Sequence, residues 1–210
     1  MAIDGSNRED LAYFKTSWAK DIINECMSKN GYILKSNETR TVKSDGEDSL
    51  FGGTLRSPST ISRALALCKP APAATVQASA NAAALAASGA GAVTDPGEQD
   101  FGETLFFLSL GNGLNGHPDI LHGGITAVIA DETLGNASSF VEGHSTFTAW
   151  LRVDYKSPLP TPSDIMVRAK MYKEIGRKRW LRASIEGPQG KVYATAEGLF
   201  IKTAGSKAKL

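Results

Sequence analysis

The stretch from Gly123 to Ser139 constrains the fold of this chain more than any other. Ile125-Thr126-Ala127-Val128-Ile129-Ala130 is apolar or small on nearly every side. That is the pattern of a helix buried all round, not along one stripe, and such a helix needs a sheet wrapped around it. Four strand-like runs follow, Thr146–Lys156, Ile165–Ile175, Arg179–Glu186 and Val192–Lys202. Turn signals separate them: the proline-rich 158–162, Gly176, and Gly187-Pro188-Gln189-Gly190. Upstream, Thr104–Leu110 reads as another strand and Gly111–Leu121 as a long loop. Strand, helix, then four consecutive strands predicts an α+β domain, an antiparallel sheet curved around one central helix.

The helix opens on His122-Gly123-Gly124 and carries Asp131 nine residues after the histidine. Two glycines let the backbone approach a ligand closely. The N–H groups of a helix start lack intrahelical partners and can hold a carbonyl oxygen as it becomes an oxyanion. A carboxylate two turns on can act on the carbonyl carbon. The plainer reading turns Asp131 and Glu132 outward as solvated charges. Spacing alone leaves both open, although an ionised Asp on so apolar a helix is costly unless paired or wet.

The rest of the chain reads as a set of distinct segments. Residues 1–69 are expected to form a helical extension. Leu11, Phe14, Trp18, Ile22 and Met27 give 8–29 a helical apolar face that ends at Asn30-Gly31, and residues 60–69 suit a short helix before Pro70. Residues 70–99 are nearly all Ala, Ser, Gly, Thr and Pro, a linker or a weak Ala helix around 76–87. Residues 100–203 hold the predicted sheet domain, and 204–210 a flexible tail. Phe14 and Trp18 need cover, and a lid over a substrate pocket would provide it.

Composition narrows the classes of function. A net charge of +1 over 210 residues gives no general attraction to nucleic acid or a membrane surface. No run of about 18 apolar residues predicts a membrane span. Cys26 and Cys68 form neither a disulfide framework nor a metal-ligand spacing. Asp4, Glu9 and Asp10 argue against a secretory or mitochondrial leader. The terminal Ala208-Lys209-Leu210 is a variant of the Ser-Lys-Leu peroxisomal address. The expected location is therefore peroxisomal, through the import receptor, and otherwise cytoplasmic.

Asn115-Gly116-His117-Pro118-Asp119-Ile120-Leu121-His122-Gly123-Gly124, with Asp131-Glu132-Thr133, resembles the hotdog-fold thioesterase superfamily. Thr148-Ala149-Trp150-Leu151-Arg152-Val153-Asp154-Tyr155-Lys156 resembles its strand with a Tyr-Lys-x-Pro ending, and Gly176-Arg177-Lys178 its turn. Gly46-Glu47-Asp48-Ser49-Leu50-Phe51 is similar to an upstream extension of fungal members. The resemblance covers about 101–202. It implies a hotdog fold and a homodimer whose sheets join edge to edge with two sites at the interface, possible as a dimer of dimers. It implies hydrolysis of acyl-CoA or acyl-carrier-protein thioesters, with CoA as part of the substrate and no metal or other cofactor.

Residue by residue, Asp131 matches the family's general base or nucleophile, and Gly124 the residue whose N–H polarises the thioester carbonyl. His122 matches the turn histidine, which in the family orients the loop or the substrate. Thr148 matches a threonine that positions water in some members, with one residue extra between it and Asp131. Asn115 stands one residue further from His122 than the family's asparagine, so Asn112, Asn115 or neither fills that role. Gly123, His117, Lys156, Arg177, Lys178 and Arg179 are the expected substrate contacts, the basic residues as a rim for the CoA phosphates. Arg177–Arg179 as a solvated hairpin turn is the alternative.

Other chemistries fit less well. His117, His122, Asp131 and Glu132 match no standard metal-ligand motif. No G-x-S-x-G elbow exists for a serine hydrolase. Within the same fold, His122 and Asp131 suit an enoyl-thioester hydratase or dehydratase. A non-hydrolytic binder of acyl thioesters, or a cyclisation helper in biosynthesis, would keep the pocket without Asp131 as base.

Overall fold

The computed structural model describes residues 5–36, 38–88, 95–142 and 144–207. One seven-stranded antiparallel sheet organises them. Its strands are β1 (Ile33–Lys35), β2 (Ile61–Lys69), β3 (Glu103–Leu110), β6 (His144–Tyr155), β7 (Ser163–Ile175), β8 (Lys178–Glu186) and β9 (Val192–Lys207), ordered β1-β2-β3-β7-β8-β9-β6. A two-stranded ribbon, β4 (Asn115–His117) with β5 (Ile120–Leu121), precedes the central helix α4 (Gly123–Glu142). Three further α-helices among the described residues are α1 (Gly5–Phe14), α2 (Lys20–Ser28) and α3 (Ala73–Ala87). The expected architecture of one long helix wrapped by a curved sheet is present.

The two-residue period of the strands divides their side chains between two cores. Ala64 and Ala66 of β2, Phe106 and Leu108 of β3, and Ile165 and Val167 of β7 join Ile129, Ala130 and Leu134 of α4. Leu65, Leu67, Leu105, Phe107 and Met166 point the other way, onto Phe14, Ala19 and Ile23 of the N-terminal helices. Helices cover these strands on both faces, so apolar residues run through them without alternation.

That double cover explains one correction. Residues 60–69 form β2, not a helix, because a short continuous apolar run has no period that separates the two. The sheet therefore starts in what the sequence presents as an extension. The expected boundaries at 69 and 100 do not divide the chain into separate bodies, since β1 and β2 pair onto β3 within one sheet.

A second correction concerns 8–29, which is two helices. Thr16 and Ser17 break it by bonding locally: Thr16 Oγ1 donates to the Tyr13 carbonyl (2.7 Å) and Ser17 Oγ to that of Phe14 (2.9 Å). The pair lies on the sheet face away from α4, so it is no lid. Residues 70–99 do contain the Ala helix, as α3. The strand β9 runs to Lys207, into the expected tail, while Ala208-Lys209-Leu210 lies outside the described residues. No helix among the described residues is long and apolar enough to cross a membrane.

Phe14 is fully buried and rests against Phe107, with ring centroids 5.9 Å apart. Phe14→Ala should cost about 3–5 kcal/mol of folding stability, read as a lower urea midpoint at unchanged slope. A loss below about 1 kcal/mol would mean that the N-terminal helices are not part of the cooperative core.

Candidate active site

The site begins with how α4 starts. The His122 carbonyl accepts from the Ile125 and Thr126 N–H groups (3.0 and 3.1 Å), which makes His122 the cap. Its imidazole folds back, and Nδ1 accepts the Gly124 N–H at 2.9 Å. A Cβ on Gly124 would lie 3.0 Å from that Nδ1, so a larger residue would push the ring from its place. Gly116 has a similar reason, because a Cβ on it would lie 2.9 Å from the His122 Cα. On the other side of the turn, the Tyr155 hydroxyl donates to the Gly123 carbonyl at 2.8 Å.

Asp131 is half-buried, and its Oδ1 accepts from Thr148 Oγ1 at 2.7 Å. The carboxylate thus meets β6, the edge strand of the sheet. Gly124 and Asp131 are seven residues apart, almost two helical turns. They share a face of α4 but stand about 10 Å apart along its axis. No single carbonyl group reaches both within one chain.

Beside Asp131 and Thr148 opens a cavity of about 260 Å³. Thr39, Lys43, Glu47 and Asp48 wall one side, with Glu132, Asn136, Phe140 and Phe200 among the remainder. The N-terminal region thus reaches the site after all, through 39–48 and not through its helices. Arg40 anchors that segment: its buried guanidinium donates to the carbonyls of Phe51 (2.9 Å), Leu55 (3.3 Å) and Ile61 (2.6 Å). Burial lowers the Arg40 pKa to about 10. Lys43 pairs with Glu47 and Asp48 at 2.6 and 3.0 Å.

Glu132 is in the same cavity. Its Oε1 accepts from Asn136 Nδ2 at 3.0 Å. Burial pushes its carboxyl above the ordinary value, outweighing the hydrogen bonds from Thr39 and Asn136, and the nearby Asp48 and Asp131 add to the rise.

A second cavity, of about 430 Å³, lies at the helix start and collects His117, Gly123, Tyr155, Lys156 and Ser157. Three expected substrate contacts, His117, Gly123 and Lys156, therefore meet there. Asn115 does not join them. Its carboxamide donates to Thr161 Oγ1 and to the Asn112 carbonyl (3.1 Å) and accepts the Asp119 N–H (3.2 Å), so it holds its own loop.

The expected basic rim is split. Tyr155, next to Lys156, pairs with Ala194, whereas Thr146 pairs with Lys202, whose N–H donates to the Arg177 carbonyl. Nine residues of strand separate these ends, about 30 Å. Arg177 and Lys178 are exposed at their turn. Arg179 is 0% exposed and is not a CoA contact. Its Nε pairs with Glu174 at 2.7 Å and its Nη1 donates to the Ser138 carbonyl at 2.9 Å, capping the far end of α4. Strand alternation turns it inward while Lys178 faces out, a distinction a run of three basic residues hides.

The sequence assigns no role to Tyr155 or Glu132. The Tyr-Lys-x-Pro ending flags the first only as a motif, and the second stands beside Asp131 as a candidate surface charge. The 46–51 stretch is distinctive in sequence, but nothing local says that it faces Asp131.

The thioesterase superfamily model matches residues 119–180. The bovine acyl-coenzyme A thioesterase THEM4 is 33% identical over 106 residues, 50% of this chain and 43% of the relative. The rat THEM4 is 40% identical over 90 residues, 42% and 38% of the two chains. The matched region thus spans less than half the length of either relative. A solved thioesterase superfamily protein is 29% identical, covering 47% of this chain and 51% of that one, with a TM-score of 0.45.

Because burial raises the Glu132 pKa, the folded state holds that proton more tightly than the unfolded one. Its stabilising effect is complete below the ordinary value of 4.5 and is lost as pH rises through the folded value. Glu132→Gln should therefore match the wild type in urea stability below pH 4.5 and exceed it increasingly above. Parallel pH curves for the two proteins would refute the shift.

Proposed function

We propose that this chain, which carries a hotdog-fold domain of the thioesterase superfamily, hydrolyses acyl-coenzyme A thioesters. The observation that carries the reading is the Asp131–Thr148 hydrogen bond beside a cavity, two turns down a helix that starts on Gly123-Gly124. The similarity to proteins named acyl-coenzyme A thioesterases supports the coenzyme A ester over a carrier-protein ester.

In this reading Thr148 orients the carboxylate through Oδ1. Asp131 takes a proton from water as the water oxygen attacks the thioester carbon. The carbonyl oxygen gains the charge and is held by the Gly124 N–H, where one such donor contributes about 3 kcal/mol. Collapse breaks the carbon–sulfur bond, and the thiolate leaves with the proton that Asp131 accepted. The products are the free acid and coenzyme A thiol. In the free protein the His122 Nδ1 occupies the Gly124 N–H, so the substrate oxygen takes that acceptor's place.

The 10 Å between Gly124 and Asp131 implies that a working site uses two chains, since about 1.5 Å of rise per residue sets their separation. The exposed edge strand β6 supports a homodimer, since it presents Phe147 (73% exposed), Trp150 and Tyr155 to solvent beside Thr148. Pairing two β6 edges antiparallel would set the helix start of one copy against Asp131 of the other. Lys156 of one copy would also approach the Arg177–Lys178 turn of the other, closing the split rim.

Asp131→Asn should lower kcat for acyl-CoA hydrolysis by at least about a thousandfold while esters still bind. Retained turnover would remove Asp131 from the mechanism. Gly124→Pro, which lacks the N–H, should also be inactive. A heterodimer of the two variants, purified on two tags, contains one site with both groups intact and should regain about half of wild-type activity. No recovery would place both groups in one chain and overturn the shared site.

A further inference from the structure

Phe140, near the end of α4, lines two cavities. One is the cavity of about 260 Å³ beside Asp131. The other, of about 130 Å³, lies between the last turns of α4, the strands β2, β3 and β7, and the start of α3. We propose that the Phe140 ring is the stop that limits acyl length, closing the Asp131 cavity off from an apolar chamber beyond it. The inference rests on the hydrolase reading of the site and adds a specificity-determining residue to it.

The two spaces differ in chemistry. The Asp131 cavity is walled by Lys43 with its partners Glu47 and Asp48, and by Glu132 and Asn136. The second chamber is lined mainly by Val76, Phe101, Ala137, Val141, Ala169 and Met171. Its one carboxylate, on Glu103, is paired with Arg168 and Lys170 at 2.5 and 2.9 Å. Cys68 faces it as a buried neutral thiol, which packs like a small apolar group. Each methylene that leaves water for such a surface raises affinity about fourfold, and a wall of charges forfeits most of that gain.

The ring is held in place. It stacks on Phe106, with centroids 6.1 Å apart and planes 18° from parallel, and Phe106 is itself buried in the core of β3. The Lys35 ammonium stands over the Phe140 ring, 5.8 Å from its centroid, and adds a cation–π contact. Phe140 follows Asp131 by nine residues, which sets it about 13.5 Å further along the helix axis. Long helical side chains lean back toward the N-terminus, which shortens that span. Carbon–carbon bonds of about 1.5 Å advance an extended chain by about 1.3 Å each, so an acyl group running from Asp131 along α4 meets the ring within about ten carbons.

In the wild type, kcat/KM for straight-chain acyl-CoAs should level off or fall beyond about ten carbons. Phe140→Ala should raise the ratio of myristoyl to butyryl kcat/KM at least about tenfold, with butyryl turnover within about threefold of the wild type. Phe140→Leu keeps an apolar contact with Phe106 and should shift the ratio the same way by less, so the test survives an unstable alanine variant. Val76 is exposed on α3 and lines only the far chamber of the two. Val76→Trp alone should leave the wild-type profile unchanged, and combined with Phe140→Ala it should restore that profile. An unchanged length profile in both Phe140 variants would overturn the assignment. So would a wild-type optimum at long chains that Val76→Trp abolishes, since the chamber would then be open already. Absence of thioester turnover in the wild type would instead overturn the hydrolase reading, and the affinities of S-alkyl coenzyme A thioethers of the same lengths would still decide whether Phe140 sets the limit.

Discussion

Everything at this site depends on where α4 is held, and two side chains hold it by its ends. At the start, the Tyr155 hydroxyl of β6 donates to the Gly123 carbonyl. At the finish, the buried Arg179 guanidinium donates to the Ser138 carbonyl while Glu174 neutralises it. A helix of this apolar character can slide or rotate within a hydrophobic wrap, because dispersion and burial are non-directional. Directional bonds at both ends remove that freedom. A rotation of one residue, about 100°, would carry Asp131 off Thr148 altogether. Breaking the buried Arg179–Glu174 pair would leave an uncompensated charge, which is why such a pair specifies geometry even where it adds little net stability.

The chemistry and the fold are legible in the sequence to different degrees. The all-round apolar segment after Gly123-Gly124 and the turn signals beyond it specify α4 and β6–β9, because those elements declare themselves within a dozen residues. Asp131 and Thr148 do meet, on elements whose periods are readable. The N-terminal half is harder. β2 is buried on both faces, so its sequence carries no period, and the helix break at Thr16-Ser17 is made by hydroxyls bonding their own backbone. Arg179 is hidden for a related reason: three successive basic residues look alike until strand alternation turns one of them inward. The Tyr155–Gly123 bond joins elements 32 residues apart and involves a backbone atom, which no side-chain pattern announces.

The walls of the Asp131 cavity come from two stretches of chain that differ in how they are held. Asp131, Glu132 and Asn136 project from α4 and Thr148 from β6, within the region that carries the family motif. Thr39, Lys43, Glu47 and Asp48 come from a segment well outside residues 119–180. That segment is fastened by one buried arginine bonding three carbonyls, and Thr39 ties it to Glu132 and Asn136 of the central helix. Its ion pairs put a polar wall opposite Phe140 and Phe200. A chain of methylenes gains about 0.8 kcal/mol per group only when it leaves water for an apolar surface. Against carboxylates and an ammonium that gain shrinks, so under the proposed hydrolase reading the remote segment would disfavour a long apolar acyl chain in this cavity.

The edge strand would link stability to the proposed catalysis. An exposed edge that carries Phe147, Trp150 and Tyr155 is a surface that natural sheets ordinarily blunt with charge, proline or cover. Here the same strand holds Thr148 against Asp131 and Tyr155 against Gly123. Trimming Tyr155 to protect the edge would therefore remove its bond to the Gly123 carbonyl. In the proposed homodimer a second copy would satisfy the unpaired backbone, bury the rings and bring a donor to the carboxylate that its own helix start, about 10 Å away, does not reach. One interface of that proposed homodimer would answer three separate physical demands.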